Sequence, residues 1–420
     1  MFNFKGVFLM KKIILLESSL RSKEKSLYSL TKAQIVLLLN KYGLDIDIKI
    51  ISIGNRNKVH KIIYKDDIVL IKEYGITKRE LVHAYIYSRF GILIKRKNAL
   101  IKEIESADYI WDISNGEGFD DGDGLNQYII SMINKKFVLN MHKPLVLMPQ
   151  SIGPFDSKIR EKHAKKVIEG AREIFVLDGY SKDYIEQDLG CNRRVNVLPD
   201  LSYYYEEKQR ELEEGNNKHN RITVGINISS RLDKELITYK SMIMDIIDEL
   251  LKDERVDVLL IPYEENCGED SHEDYRFSNS IAYGNRNDRI ESIGRYYEEE
   301  ALRRIIRKCD FLIGSSPIAC IDAISMLVPT YIITGNLAFI DAMKRRKLED
   351  CIGNLQKNNK KYIIDRIIIQ FNNRGELKKR LYNVNYIARK QIEGIVECVD
   401  AEYRSRCCKL ENDSVASNIL

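Results

Sequence analysis

One apolar run of the chain ends on small polar residues that could contact a ligand. Residues 145–148 are apolar, and Pro149, Gln150 and Ser151 follow them before a Gly-Pro turn. This pattern predicts a buried parallel strand whose carboxyl end carries the polar groups, and open α/β sheets bind ligands at that end. We therefore take Gln150 and Ser151 as candidate substrate-binding residues.

A second apolar run lies upstream and leads into an acidic, glycine-rich loop. Residues 108–114 predict a strand, and residues 115–124 form the loop. A carboxylate in such a loop can accept a proton from a hydroxyl group or orient it, although turn residues often serve only the turn itself. We take Asp121 as a candidate catalytic residue and Gly116 and Glu117 as candidate substrate contacts.

A third candidate site lies in the second half of the chain, where Gly314, Ser315 and Ser316 precede Pro317. Proline at the first helical position and a serine before it predict the start of a helix. Free backbone amides and the positive end of the helix dipole can bind an anion there. A plain capped helix is the alternative interpretation.

His272 is a candidate proton donor on a predicted loop of the second half. Its neighbours Glu269, Asp270, Glu273 and Asp274 are acidic. Nearby negative charge raises the pKa of a histidine and so suits it to donate a proton near neutral pH. The alternative is a solvated loop histidine without a catalytic role.

Composition limits the classes of partner. The net charge of +5 is a small excess among 67 basic and 62 acidic residues. It argues against nucleic acid as a partner and is compatible with an anionic substrate or with loose contact with an acidic membrane surface. The eight cysteines have neither a paired framework nor metal-ligand spacing, so we expect reduced thiols and no metal. Short apolar stretches predict a cytoplasmic protein, at most peripherally bound at the inner face of the membrane.

Alternation of strand-like and helix-like segments predicts an α/β protein with parallel sheets. At 420 residues the chain exceeds the usual size of one core, so we expect two doubly wound domains. We place a Rossmann-like domain at 10–205, a linker at 206–220 and a second Rossmann-like domain at 221–350. A helical segment at 351–406 would pack back across both domains, and a flexible tail would follow at 407–420.

Taken in order, these segments resemble the polysaccharide pyruvyl transferase family. The resemblance extends from about Lys11 to about Asn336. It rests on the acidic loop, on the Pro-Gln-Ser-Ile-Gly-Pro-Phe turn at 149–155, and on segments 174–181, 198–200, 224–229 and 310–315. It implies a GT-B-like fold, with two Rossmann-like domains facing each other across a cleft. It also implies transfer of pyruvate, without a cofactor, from phosphoenolpyruvate to a sugar hydroxyl of a cell-surface polysaccharide or its precursor.

The chain departs from this family at positions that usually carry charge. Ser316 and Ile318 stand where relatives have arginine and histidine, and Leu177 replaces a second arginine. Tyr263 replaces a histidine that often follows Ile-Pro. Leucine cannot bind phosphate, and isoleucine cannot transfer a proton. Arg231, after the first strand of the second domain, is our candidate for the missing phosphate contact.

Three functions therefore stay open. The first is pyruvyl transfer, with phosphoenolpyruvate and a sugar or lipid-linked glycan as partners. The second is a non-catalytic relative that binds a glycan or a biosynthetic partner, which the replaced residues favour. The third is a GT-B-like glycosyltransferase using a nucleotide sugar, for which Asp322 would be the ribose contact. A homo-oligomer is compatible with each of the three.

Overall fold

Parallel strands alternate with helices along most of the chain, as the sequence predicts. The computed structural model describes residues 10–22, 25–54, 56–91, 99–116, 118–122, 124–205, 221–263, 273–285, 287–294 and 297–416, except the side chains of 25, 99 and 401–416. The predicted linker, 206–220, lies outside the described residues.

The first domain contains eight strands and six helices among its described residues. In chain order they are β1 (Lys11–Leu16), α1 (Lys25–Tyr42), β2 (Ile46–Ile53), β3 (Lys58–Tyr64), β4 (Asp67–Ile76), α2 (Lys78–Phe90), α3 (Ala99–Ser106), β5 (Tyr109–Asp112), α4 (Leu125–Asn140), β6 (Leu145–Gln150), α5 (Lys158–Gly170), β7 (Glu173–Val176), α6 (Gly179–Asp183) and β8 (Asn196–Val197).

The second domain and the helices after it follow the same alternation. In chain order they are β9 (Ile222–Ile228), α7 (Ser230–Glu235), α8 (Tyr239–Leu250), β10 (Val256–Pro262), α9 (Glu273–Asn285), β11 (Ile290–Ser292), α10 (Glu299–Arg307), β12 (Phe311–Gly314), α11 (Pro317–Ser325), β13 (Thr330–Thr334), α12 (Leu337–Lys344), β14 (Ile352–Asn354), α13 (Lys360–Asn372) and α14 (Arg374–Ala416).

Both sheets are doubly wound. The second has the order β11-β10-β9-β12-β13-β14 with every strand pair parallel. The first has the order β3-β4-β2-β1-β5-β6-β7-β8, in which only β3 is antiparallel to its neighbour. Strand order reverses between β1 and β5 and between β9 and β12, and ligands of such sheets bind beside these reversal points.

Local sequence explains why these elements form. The central strands β5, β6 and β7 are mostly apolar and almost entirely buried, as expected where helices cover both faces of a parallel sheet. In α5, Ala164, Val167 and Ile168 repeat at helical spacing and face the core. Helix α2 starts with a reciprocal capping box between Thr77 and Glu80.

Helix α14 contacts both domains. The Asn385 side-chain amide donates to the carbonyl of Ile324 in the second domain at 2.8 Å. In the first domain, the Tyr42 hydroxyl donates to the Asp400 carboxylate at 2.8 Å. The helix continues to Ala416, so residues 407–416 are helical where we expected a flexible tail. Residues 374–416 contain no proline, which permits this continuation.

Candidate functional site

The carboxyl ends of the two sheets face each other. On one side, the amide of Gly179, which follows β7, donates to the carboxylate of Asp341 on α12 at 2.8 Å. On the other side, the Ser29 hydroxyl on α1 donates to Glu299 on α10 at 2.8 Å. Since α1, α6 and α12 all begin at the carboxyl ends of strands, these contacts join the two sheet edges, and we call the region between them the cleft.

The two polar segments of the first domain lie side by side at this edge. Phe119 in the acidic loop forms an isolated bridge with Ile152. Its amide donates to the Ser151 carbonyl at 2.8 Å, and its carbonyl accepts from the Gly153 amide at 2.9 Å. Gly116 has a φ of +84°, and an added Cβ atom would lie 3.4 Å from the backbone nitrogen of Leu27 on α1. The loop therefore packs between the β6 turn and the first turn of α1.

Asp121 is buried and holds the loop in place. Its carboxylate accepts from the Asp156 amide at 2.9 Å and from the Arg160 guanidinium at 2.6 Å. Both donors occupy the carboxylate oxygens of Asp121, so a substrate hydroxyl could reach them only by displacing a donor. The predicted catalytic role of Asp121 would require this ion pair to open.

Gln150 is also buried, and it ties two strands together. Its side-chain amide donates to the Asp112 carbonyl at 3.0 Å, so it connects the ends of β6 and β5. The Ser151 hydroxyl is partly exposed and donates to Asp178 at 3.2 Å. Of these two predicted substrate contacts, only Ser151 presents its side chain towards solvent. Glu117 and His272 lie outside the described residues.

A buried ionic cluster lies at the strand reversal point of the first sheet. The Lys135 ammonium group, on α4, is fully buried and lies 3.0 Å from Glu17 and 3.1 Å from Asp112. Glu17 follows β1 and Asp112 ends β5. Asn134 and Ser131 also donate to Glu17, at 2.8 and 2.9 Å. The cluster thus fixes α4 to the carboxyl ends of the two central strands.

The cluster contains two carboxylates and one ammonium group, and the pKa values of Asp112 and Lys135 are shifted. Burial, together with the charge of Glu17, raises the pKa of Asp112 to about 6, although Lys135 opposes the shift. Burial favours a neutral amine at Lys135, but Asp112 and Glu17 more than offset it and raise its pKa. Sequence analysis missed this cluster, since Lys135 and Glu17 lie 118 positions apart.

In the second domain, an asparagine already satisfies part of the predicted anion site. Asn227, on β9, accepts from the amides of Ser315 and Ser316 at 3.1 and 2.7 Å through its Oδ1 atom. The Ser315 hydroxyl hydrogen-bonds to Tyr239 at 2.7 Å. These two amides are therefore not free, contrary to our expectation. The Ser316 side chain makes no capping bond to α11.

Arg231, the predicted phosphate contact, pairs with an acidic residue of its own helix. It lies on α7, its side chain is largely exposed, and its ion pair is with Glu235 at 3.5 Å. Tyr263, at the position of a family histidine, is buried and donates to Glu299 at 3.0 Å and also contacts Asp322. Asp322 is buried in an ion pair with Arg303, so neither tyrosine nor aspartate is open to a ligand.

The two facing, doubly wound domains define a two-domain α/β protein of the GT-B type. The model of one family, polysaccharide pyruvyl transferase, matches residues 23–334. The chain therefore belongs to the polysaccharide pyruvyl transferase family, as its motifs predicted. No curated protein matches this sequence.

Solved structures agree with the fold assignment. A protein from Listeria monocytogenes described as a UDP-N-acetylglucosamine 2-epimerase superimposes with a TM-score of 0.61 and 12% identity, over 94% of this chain and 97% of that one. A UDP-forming α,α-trehalose-phosphate synthase from Burkholderia vietnamiensis gives 0.53 and 11%, over 94% and 99%. The UDP-GlcNAc 2-epimerase from Methanocaldococcus jannaschii gives 0.53 and 14%, over 86% and 93%. At such identities the likeness shows the fold alone.

Within the described part of the chain, no helix combines the length and apolarity needed to cross a bilayer. Within the same residues, no group of three or more His, Cys, Asp or Glu side chains is arranged to hold a metal ion.

We expect Lys135→Met to lower the free energy of unfolding by about 3–5 kcal/mol, because it leaves Glu17 and Asp112 as a buried carboxylate pair without a cation. Chemical denaturation measures this loss. The matched control is Lys136→Met on the same helix, which is half-buried outside the cluster and should change stability by about 0.5 kcal/mol or less. Equal effects of the two variants would contradict a structural role for the cluster.

We also expect the Asp112 carboxyl group to lower the free energy of unfolding as pH rises from about 4 to about 6. Between about pH 4 and pH 6 the folded state keeps the Asp112 proton that the unfolded state has lost, so this group makes stability fall as pH rises. Asp112→Asn removes that term. The stability of this variant relative to wild type should therefore rise across this window in denaturation series, whereas Lys136→Met should follow the wild type. A flat or falling difference would refute the assignment.

Proposed function

We propose that this protein transfers pyruvate from phosphoenolpyruvate to a sugar hydroxyl of a cell-surface polysaccharide or its precursor, within the cleft between the two domains. Family membership supports the reaction class. Forming a ketal uses two hydroxyl groups of the sugar, and C2 of the donor gains two C–O bonds while its π bond to C3 and its C–O bond to phosphate break. One hydroxyl proton is balanced by the proton taken up at C3, and the other leaves with phosphate.

The proposal rests on the first turn of α11, which has backbone amides without an acceptor in the helix. Ile318 and Ala319 lie in this turn, where amides have no intrahelical acceptor, and the Ser316 side chain does not cap them. The Ser316 hydroxyl is buried and makes no hydrogen bond within the described residues. These donors, together with the helix dipole, can receive the phosphate or carboxylate of phosphoenolpyruvate.

The remaining chemistry must come from outside the positions that the family usually employs. Ser316 and Ile318 can supply neither an arginine-like charge nor proton transfer. His272 therefore stays our candidate proton donor, and Ser151 stays a candidate contact for the sugar. Asp121 could serve as the base only in a state in which its ion pair with Arg160 is open.

A non-catalytic, glycan-binding relative is the second candidate. The bonds that the Ser315 and Ser316 amides donate to Asn227 favour it, because they occupy two of the donors that an anion would otherwise use. The nucleotide-sugar alternative has less support, since the proposed ribose contact, Asp322, is buried against Arg303.

Titration calorimetry with phosphoenolpyruvate and with inorganic phosphate tests the first candidate. We expect binding by the wild type and roughly tenfold or greater weakening by Ser316→Asp, because a negative charge at the helix start repels the anion. Asn359→Asp is the matched control. It places the same charge at the start of α13, whose N-cap is exposed, and should bind like the wild type.

Absence of heat at millimolar phosphoenolpyruvate would overturn pyruvyl transfer, and heat from purified glycan fragments would then support the second candidate. A further variant tests whether restoring the family's arginine and histidine restores strong anion binding. Ser316→Arg combined with Ile318→His should tighten phosphoenolpyruvate binding by about tenfold or more, as expected for one charged hydrogen bond.

A further inference from the structure

The β3–β4 hairpin exposes a contiguous apolar face at the edge of the first sheet. Val59, Ile63, Ile68 and Leu70 are 51–65% exposed. The register places Ile63 opposite Ile68, Lys61 opposite Leu70 and Val59 opposite Lys72, so all these side chains share one face. The opposite face of the hairpin packs on the core. We call the four exposed aliphatic side chains the hairpin face.

Such a face is unusual on a sheet edge. Natural edge strands rarely leave several aliphatic side chains exposed, since these promote association with other surfaces. The hairpin face consists of aliphatic residues in two adjacent strands, whereas isolated exposed apolar residues are common and need no explanation. Its side chains therefore indicate a contact that the described residues do not provide.

The charges on the hairpin specify the contact further. Lys61 and Lys72 are exposed on the same face as these aliphatic side chains, and neither forms an ion pair with a described residue. Lys65, Asp66 and Asp67 are exposed at the turn of the hairpin. Lysines can extend along an apolar surface while keeping their ammonium groups in a polar layer. Aliphatic side chains flanked by two cations on the same face match the interface of an anionic bilayer, where apolar groups enter the acyl boundary and cations meet the headgroups.

Self-association through the free edge of β3 is the competing explanation, and charge disfavours it. Strand β3 has Lys61 at its centre. A two-fold antiparallel pairing centred on this strand would place Lys61 opposite the same residue of a second copy. Like charges directly opposite each other destabilise a strand pair, so the lysine acts against a continuous sheet between two copies.

We propose that the hairpin face docks this protein on an anionic lipid surface. The docking is independent of pyruvyl transfer and holds whatever reaction the cleft performs. It also has a physical connection to the cleft. On the inner face, His60 lies 2.7 Å from Glu73, which accepts from the Ser19 hydroxyl at 2.7 Å just after β1. The hairpin is therefore anchored to the segment that enters α1 at the cleft edge.

Vesicle co-sedimentation with the full chain tests the proposal. We expect binding to vesicles of phosphatidylcholine mixed with phosphatidylglycerol, little binding to phosphatidylcholine alone, and weakening by salt. Lys61→Gln combined with Lys72→Gln should reduce the affinity roughly 25-fold, since each lysine near such a surface contributes about fivefold. Ile68→Asp should reduce it by at least as much.

The matched control is Ile237→Asp, which changes a 98% exposed isoleucine of the second domain and should bind vesicles like the wild type. Thermal melting verifies that each variant is folded. The proposal is overturned if the wild type does not bind the anionic vesicles, or if Ile68→Asp and Ile237→Asp bind equally. It is also overturned if light scattering shows a wild-type dimer that Ile68→Asp converts to a monomer, since the face would then contact a second copy.

Discussion

The buried ammonium group of Lys135 is the constraint on which the first half of the site depends. It lies between carboxylates that terminate two different strands, so it sets the spacing of β1 and β5 where their order reverses. Helix α4, which carries this lysine, begins directly after the acidic loop. The position of that loop, and hence of its contact with the β6 turn, follows from an interaction that no ligand can reach.

In the second domain, a neutral side chain joins the ends of the central strands, as the Lys135 ammonium group does in the first. Asn227 accepts from two amides at the start of α11 and donates to the carbonyl of Ile261 at 3.0 Å. One side chain thereby links the ends of β9, β10 and β12. The same bonds reduce the number of donors for an external anion. Stability of the edge and readiness to bind phosphate therefore compete for the same backbone groups.

Much of the architecture could be predicted from the sequence, because periodicity is a local property. The buried strand over residues 145–148 and the polar end that follows it were predicted as they occur, and the family resemblance implied the GT-B arrangement. The site was less predictable. The sequence does not distinguish a carboxylate that binds substrate from one, such as Asp121, that pairs with an arginine 39 positions away. The contacts of Lys135 and Asn227 could not be predicted for the same reason, because their partners are distant in the sequence.

Contacts at both ends of the facing edges have a kinetic consequence for the cleft. The bond from Gly179 to Asp341 uses a backbone N–H as its donor, which every residue except proline would retain at this position. The bond from Ser29 to Glu299 lies at the other end. Any widening of the space between the domains must break one of these bonds, and the free energy of the broken bond adds to the barrier for opening.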